Sequence, residues 1–194
     1  MKKIQLSILS LVLIAFVGCK NETKKAEEEE EEKVEEVVEE VKKEVKTLTV
    51  TLESKSESNV TGTVHFKESD GVVSMAAKMT GLTPGTHAIH LHEKSDCSSP
   101  DGKSTGGHWN PTFKDHGAWG AEAGYHKGDI GNFEVGEDGV GKVEFNTNEW
   151  CIGCGDDKKD ILGKAVIVHQ GTDDFTSQPS GAAGARVSCG GIIE

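Results

Sequence analysis

The sequence has few positively charged residues and few aromatic ones. It contains 21 Lys and Arg against 33 Asp and Glu, its formal net charge is −12, and 5% of its residues are aromatic. A nucleic-acid-binding protein needs a basic stripe that displaces counterions from phosphates, so the composition argues against this class. It equally argues against an anionic membrane surface as the main partner. Prolines are also few, whereas 24 glycines favour many turns between short strands over a helical bundle.

Long hydrophobic runs are scarce too, and the clearest one lies at the N-terminus. Two lysines precede an apolar stretch that extends to Val17. A membrane-spanning helix needs about 20 apolar residues, so this shorter stretch is typical of a secretory signal peptide, which we place at residues 1–18. The segment Phe16-Val17-Gly18-Cys19 resembles a bacterial lipobox, which implies a lipid on Cys19; the alternative is a chance cysteine after an ordinary signal. Export to the bacterial cell envelope, in a periplasmic or outer-membrane position, would permit disulfides.

Residues 19–46 are predicted to form an acidic, Glu/Lys-rich tether. Twelve Glu and seven Lys fall within 20–46, and the unbroken acidic run from Glu27 to Glu32 favours a solvated, extended chain. Valines recur at helical spacing between Val34 and Val45, so a coiled coil is the alternative, although the stripe covers less than two heptads. The charge divides into +2 on residues 1–19, −5 on 20–46 and −9 on 47–194. The folded domain, 47–194, is therefore acidic in its own right.

The domain shows a hydrophobic period of two, which is typical of β-strands with one buried face. The pattern recurs in eight segments: 48–52, 60–66, 73–79, 86–92, 131–135, 140–147, 164–170 and 185–191. Turn signals such as Ser69-Asp70-Gly71 separate them. We therefore predict an all-β, eight-stranded antiparallel sandwich or barrel. Two connections, 93–130 and 148–163, are too long for hairpins and are the expected carriers of function.

Most of the histidines lie in the first of these predicted long connections and in the predicted strands. His90 and His92 are two residues apart on a predicted strand, so both imidazoles point to one face while Ile89 and Leu91 point to the other. The 93–130 connection and a later strand end add further ligand-type residues: His108, His116, His126, Asp129 and His169. Such a set is typical of a metal site.

Four motifs of the domain resemble those of copper/zinc superoxide dismutase. They are Ala88-Ile89-His90-Leu91-His92-Glu93, Gly107-His108-Trp109-Asn110-Pro111, His126-Lys127-Gly128-Asp129-Ile130-Gly131-Asn132 and Gly184-Ala185-Arg186-Val187-Ser188-Cys189-Gly190. The resemblance covers about residues 47–194 and keeps the motif order of the family. It implies a Greek-key arrangement of the strands and dismutation of superoxide to oxygen and hydrogen peroxide.

The resemblance also implies two metals and their ligands. Copper is expected at His90, His92, His108 and His169. Zinc is expected at His108, His116, His126 and Asp129, a closed four-ligand set of the structural kind. His108 would bridge both metals as an imidazolate and take up a proton when the bridge opens, because a neutral imidazole cannot donate lone pairs from both nitrogens. Asp173 matches the carboxylate that orients one ligand of each metal.

The resemblance assigns Arg186 to the binding of the anionic substrate beside the copper. A guanidinium suits this role because it stays charged and presents several donors. A non-enzymatic copper/zinc binding module is the alternative function, and it would have no need of Arg186. The family includes homodimers that associate through different faces, so a homodimer is a candidate assembly.

The remaining four cysteines fall into two pairs. Cys97 and Cys189 match the disulfide of the family that fastens the long loop to the barrel. Cys151 and Cys154 form a CxxC that the common family pattern lacks, and no βαβ pattern surrounds it to favour a thioredoxin-like motif. We expect a local disulfide here, and the alternative is a transient copper-docking site.

The 170–185 segment contains no lysine, whereas many members of the family place basic residues there to attract the anion. On an acidic domain, the local positive potential would have to come from Arg186, the metals, and Lys103 or Lys114.

Overall fold

The structure is a computed structural model that describes residues 44–194. The predicted signal peptide, Cys19 and nearly all of the tether lie outside the described residues. Within residues 44–194, no helix has the length and apolar character needed to cross a membrane.

Eight strands and one short 3-10 turn make up the regular structure of residues 44–194. In chain order they are β1 (Lys46–Ser54), β2 (Thr61–Ser69), β3 (Val72–Thr80), β4 (Gly85–His92), the 3-10 turn (Lys103–Thr105), β5 (Gly131–Val135), β6 (Gly141–Thr147), β7 (Ala165–His169) and β8 (Arg186–Gly191). The strands follow the period-two segments of the sequence to within a few residues. In β3, for example, Val73, Met75, Ala77 and Met79 are buried while the residues between them are more exposed.

The strands close into an antiparallel barrel in the order β1-β2-β3-β6-β5-β4-β7-β8, with β8 paired to β1. β3 lies beside β6 and β4 lies beside β7, so the chain crosses the barrel ends in Greek-key fashion. The tight turn between β2 and β3 places Asp70 and Gly71 at φ of 56° and 73°, as a two-residue hairpin requires. The predicted all-β, eight-stranded antiparallel barrel is confirmed.

β4 and β7 are buried on both of their faces. Every residue from His87 to His92 and from Ala165 to His169 is buried. One face packs into the barrel core, and the other faces the predicted 93–130 connection (the β4–β5 loop) and a third long connection, 170–185 (the β7–β8 loop). The barrel thus presents a covered outer surface at which loop and strand side chains can meet.

Candidate metal centre

Two groups of buried side chains meet on the covered outer face of β4 and β7. The first contains His90 and His92 of β4, His108 of the β4–β5 loop, and His169 at the end of β7, and their ligand atoms all lie within 4.8 Å of one another. A two-residue spacing on a strand brings His90 and His92 to the same face, and Ile89 and Leu91 pack in the barrel core.

The second group is built entirely from the β4–β5 loop. His108, His116, His126 and Asp129 place their ligand atoms within 4.8 Å of one another, and all four residues are buried. The turn that carries His126 and Asp129 is held against the barrel, because Gly128 accepts a backbone hydrogen bond from Leu91 and donates one to Trp109. A Cβ at Gly128 would collide with the Leu91 carbonyl, so this close approach requires glycine.

His108 belongs to both groups. Its Nδ1 lies 2.8 Å from Oδ1 of Asp129 in the second group, and its ring centroid lies 4.0 Å from that of His90 in the first. The two ring nitrogens therefore face opposite groups. An imidazole in this position can contact two metal ions at once if it loses its second proton.

In each group, buried ring nitrogens of the histidines have no hydrogen-bond partner. Six buried nitrogens are affected: His90 Nδ1, His92 Nε2, His108 Nε2, His116 Nδ1, His126 Nδ1 and His169 Nε2. Oxygens of Asp129 lie 3.0 Å from His116 Nδ1 and 3.3 Å from His126 Nδ1, yet these contacts are not aligned as hydrogen bonds. Unpaired buried polar atoms that converge on common points are what a metal site leaves when its ions are removed. The donor sets therefore fit copper and zinc.

The opposite ring nitrogen of four histidines has an oxygen neighbour that fixes the ring. His90 Nε2 lies 2.8 Å and His116 Nε2 lies 2.9 Å from the two carboxylate oxygens of Asp173. His92 Nδ1 lies 3.0 Å from the Gly106 carbonyl, and His169 Nδ1 lies 3.5 Å from the Gly184 carbonyl. Such contacts determine the tautomer and aim the free nitrogen into the group.

Asp173 links the two groups through one carboxylate. Asp173 lies in the β7–β8 loop, and Asn132 on β5 fixes its backbone by donating to its carbonyl and accepting from its N–H. Burial alone would raise the pKa of Asp173, but hydrogen bonds from His116 and His90 hold that pKa well below its usual range. Gly181, at a φ of 66°, packs so closely on this carboxylate that a side chain there would collide with it.

The electrostatic environment favours the metal-binding forms of most ligands. Burial lowers the pKa of His92 and of His169 well below the ordinary value, and it lowers the pKa of His108 to about 4 against the opposing effect of Asp129. Burial alone would raise the pKa of Asp129, but its histidine neighbours hold it far below the usual range. Neutral imidazoles and an ionised carboxylate are the forms that donate lone pairs to a cation.

His116 behaves differently because it lies between two carboxylates. Burial by itself would lower its pKa, but Asp129 and Asp173 raise the pKa to about 9. The metal-free ring of His116 therefore keeps its second proton, and with it a positive charge, at neutral pH. A cation bound at Nδ1 would replace this proton.

Arg186 lies at the entrance of the first group. A β-bulge between Val168 and His169 pairs His169 with Arg186, and both residues line a cavity of about 530 Å³ together with His92 and His108. The guanidinium is half-buried, and its Nη1 donates to the Gly102 carbonyl at 2.9 Å and to Thr105 Oγ1 at 3.0 Å. These contacts hold a permanent cation against the cavity.

Other charges line the same cavity. Lys103 and Asp101 belong to it and form an ion pair of 3.1 Å, and Glu93 adds a second carboxylate. Lys114 lines a separate depression with Tyr125 and Lys127. Of the two lysines named from the sequence, the structure places Lys103 at this cavity and Lys114 elsewhere.

Both pairs of cysteines form disulfides in the structure. Cys97–Cys189 joins the β4–β5 loop to β8 across 92 residues of sequence. Cys151–Cys154 lies within the connection between β6 and β7 (residues 148–164, the CxxC loop). The local disulfide expected from the CxxC spacing is therefore present.

Sequence reasoning missed several residues that position the site. Thr105 and the Gly102 carbonyl hold Arg186, and Trp150 of the CxxC loop donates from Nε1 to the Lys127 carbonyl at 2.8 Å, within the turn that carries His126 and Asp129. Backbone carbonyls leave no signal in the sequence. Trp150, a large aromatic residue in a predicted connection, is the one sign available in the sequence.

Comparisons with known proteins agree with this geometry. The family model of copper/zinc superoxide dismutase matches residues 60–192. The chain is 40% identical over 140 residues to the Cu-Zn superoxide dismutase 2 of Mesembryanthemum crystallinum, covering 69% of this chain and 86% of that protein. It is 37% identical over 142 residues to a superoxide dismutase-like protein of Bacillus subtilis, covering 71% of each.

Solved structures show the same similarity. The crystal structure of a SOD-like protein from Bacillus subtilis has a TM-score of 0.66 at 35% identity, covering 75% of this chain and 97% of that chain. A double mutant of a SOD-like protein from the same organism gives 0.67 at 37% identity with the same coverage.

Proposed function

We propose how this chain, which belongs to the copper/zinc superoxide dismutase family and is a superoxide dismutase, carries out its reaction. Copper would cycle between Cu(II) and Cu(I) at the first histidine group, which contains His90 and His92. A structural zinc would be held at the second group, which contains His116 and His126. The observation that carries the proposal is the convergence of six unpaired ring nitrogens on these two groups. Imidazole is a suitable ligand for copper, and three imidazoles with a carboxylate form a closed zinc set.

The residues divide the work of the reaction. Two superoxide anions and two protons become one dioxygen and one hydrogen peroxide, and bound copper would supply the one-electron exchange. Arg186 binds the anion in the cavity, because its guanidinium is a fixed cation with free donors beside His92, His108 and His169. His108 Nε2 holds and delivers one proton, while Asp129 keeps Nδ1 oriented.

The decisive experiment combines metal analysis with a superoxide assay on the purified protein. We expect about one copper and one zinc per chain together with dismutase activity, and loss of activity when copper alone is removed. The alternative function is a non-enzymatic copper/zinc binding module, a candidate because one similar protein is described only as superoxide dismutase-like. Copper loading without activity would favour that module.

We also propose that the enzyme protects the bacterial cell envelope from a lipid-anchored position. The support is the signal-like segment before Cys19 and the acidic tether that follows, which would hold the domain away from the membrane. Mass analysis of the N-terminal peptide should find a lipid on Cys19, and Cys19→Ser should release the protein from membranes. A Cys19→Ser protein that stays membrane-bound would contradict the anchor.

The proposed role of residues 20–46 as a spacer has its own test, and self-association of this segment as a coiled coil is the alternative. Sedimentation of the protein with and without residues 20–46 compares the spacer with the coiled coil. The same mass for both supports a spacer, and loss of an oligomer on deletion supports the coiled coil. A homodimer that persists after the deletion would have to form through the barrel.

A further inference from the structure

The CxxC loop carries a third group of potential metal ligands, apart from the two histidine groups. Cys151 Sγ, Cys154 Sγ and a carboxylate oxygen of Asp160 lie within 4.8 Å of one another. In the structure the two sulfurs form a disulfide. The dismutase chemistry assigns nothing to these three residues.

The loop keeps its shape through contacts that do not involve the disulfide. Cys151 donates from its backbone to Lys159 at 2.8 Å and accepts from Ile161 at 3.1 Å. Ile152 donates to Glu68 on β2 and accepts from Lys46 on β1, both at 2.8 Å. Because these contacts hold the backbone beside Cys151, reduction of the disulfide would leave the two thiols close together.

The Asp160 carboxylate is held at the same point by three backbone N–H groups. Oδ1 accepts from Gly153 at 2.9 Å and from Leu162 at 3.0 Å, and Oδ2 accepts from Gly155 at 2.9 Å. Gly153 and Gly155 flank Cys154 at φ of 63° and 72°, and space is open beside Gly155. A carboxylate offers about four lone-pair sites, so three hydrogen bonds leave one free for a cation.

The two sulfurs differ in their exposure to solvent. Cys151 is 6% exposed, whereas Cys154 lies on the exposed part of the loop. Attack by an external thiolate and exchange of a metal ion both require such access. A disulfide that closes a loop of so few residues also removes little conformational entropy from the unfolded chain. It therefore stabilises the fold less than a disulfide that closes a long loop.

We propose that the reduced CxxC loop is a third metal site, in which Cys151, Cys154 and Asp160 bind one Zn²⁺. Reduction transfers two electrons and two protons from an external dithiol, which becomes a disulfide, and breaks the S–S bond to give two thiols. Zinc binding then releases one proton from each sulfur. Two thiolates and a carboxylate suit Zn²⁺, and the fourth coordination position stays open, as in a site that exchanges its metal.

The experiment uses the copper- and zinc-loaded protein in a Cys19→Ser background, so that the four remaining cysteines account for all thiols. A mild dithiol reduces the exposed disulfide, and alkylation with peptide mass mapping verifies that Cys97–Cys189 stays intact. After removal of the dithiol without oxygen, Zn²⁺ is titrated and counted by native mass spectrometry. Cd²⁺ serves as a second probe, because a thiolate ligand gives it a charge-transfer absorption that histidine ligands do not.

We expect one additional Zn²⁺ per reduced chain, no additional Zn²⁺ in the oxidised protein, and none in reduced Cys154→Ser. Asp160→Asn should weaken binding by about tenfold or more, whereas the exposed Asp157→Asn, which removes the same charge from the same loop, should not. Absence of extra zinc in protein with verified free thiols would overturn the proposal. Equal binding by the Asp160→Asn and unsubstituted proteins, or uptake of Cu⁺ but not Zn²⁺, would overturn the three-ligand site. Each readout counts metal on a loop outside the histidine groups, so the result does not depend on dismutase activity.

Discussion

Two side chains of the site, those of Asp173 and Arg186, each use different polar atoms for two different contacts. Asp173 accepts from His90 with one oxygen and from His116 with the other, so one carboxylate orients a residue of each histidine group. Arg186 likewise uses Nη1 to donate to Gly102 and Thr105, which leaves its other donors for an anion. Asp173 and Arg186 thus each position or bind two groups of the site at once.

Arg186→Ile removes the fixed cation without touching a metal ligand. We expect the catalytic efficiency for superoxide to fall by about tenfold or more, since a hydrogen bond to a charged group contributes about 1.5–3 kcal/mol. Copper and zinc content, measured on the same preparation, should not change. Arg186→Lys is the matched control and should retain part of the activity; unchanged efficiency in Arg186→Ile would refute the anion-binding role.

Asp101→Asn should have the opposite effect on the rate. Asp101 lines the cavity, and the Lys103 N–H lowers its pKa to about 2, so it is an anion at neutral pH. Its removal frees Lys103 from an ion pair, and we expect the rate at low salt to rise about two- to threefold.

Because folding stabilises the ionised form of Asp101, the Asp101→Asn gain should be constant across the neutral range. Asp101 itself becomes neutral only as the pH falls through about 2, so its titration adds no pH dependence to the gain in the neutral range. Glu137→Gln, an exposed charge on the β5–β6 turn, is the control. An equal gain in Glu137→Gln would indicate net charge instead of the local pair.

The loops act as connected elements and not as independent appendages. The CxxC loop contacts the β4–β5 loop through Trp150, whose Nε1 donates to the Lys127 carbonyl, and through Glu149, which accepts from Tyr125 and Lys127. Trp150 is 1% exposed and packs edge-on against Trp119 of the β4–β5 loop. The turn that presents His126 and Asp129 is therefore braced by an element distant in sequence.

Trp150→Phe should weaken zinc binding through this brace. The substitution keeps most of the apolar volume but leaves the Lys127 carbonyl without its donor, which costs about 1–3 kcal/mol when the group is buried. We expect the zinc dissociation constant, measured by competition with a chelator, to rise about tenfold. Phe145→Leu perturbs the same aromatic cluster without touching the turn. An equal loss of zinc affinity in both variants would assign the effect to packing.

The two disulfides should differ in their contribution to stability. In the chain-entropy model, Cys97–Cys189, which spans 92 residues, stabilises by about 4–5 kcal/mol. Cys151–Cys154, with a separation of 3, stabilises by about 2 kcal/mol. Replacing each pair by alanine and measuring denaturant unfolding of the metal-free protein tests this. An equal or larger loss for the CxxC pair would contradict the entropic account.

The elements differ in how far the sequence predicts them. β3 and β5 were foreseen almost to the residue because alternation reports one buried face, whereas the predicted ends of β1 and β2 were short by two or three residues. Spacing and resemblance name the members of the two histidine groups, and the structure brings their ligand atoms within 4.8 Å of one another. The brace between Trp150 and Lys127 and the seat of Arg186 on Gly102 were not, because backbone carbonyls brought together by the fold carry no residue signature.

The domain that the structure describes is an acidic barrel whose cavity contains two basic side chains. Residues 47–194 carry a net charge of −9, so distant charges repel superoxide. The cavity contains Arg186 and Lys103, and the β7–β8 loop adds no basic residue to them. Either the repulsion from distant acidic residues or the attraction to Arg186 and Lys103 controls the approach of superoxide. The outcome depends on distance, because salt at physiological ionic strength screens charges that lie more than about 8–10 Å apart.

The salt dependence of the rate decides between these fields. If local attraction controls the encounter, rising salt screens it and the rate falls; if overall repulsion controls it, rising salt raises the rate. We expect a fall, because the substrate must finish its approach within a few ångströms of Arg186 and the bound metals. Lys103→Gln should flatten the dependence, whereas Lys142→Gln, on the outer surface of β6, should not. A rate that stays constant or rises with salt in the unsubstituted protein would show that no attractive field operates at the cavity, and that the enzyme relies on contact with Arg186 alone.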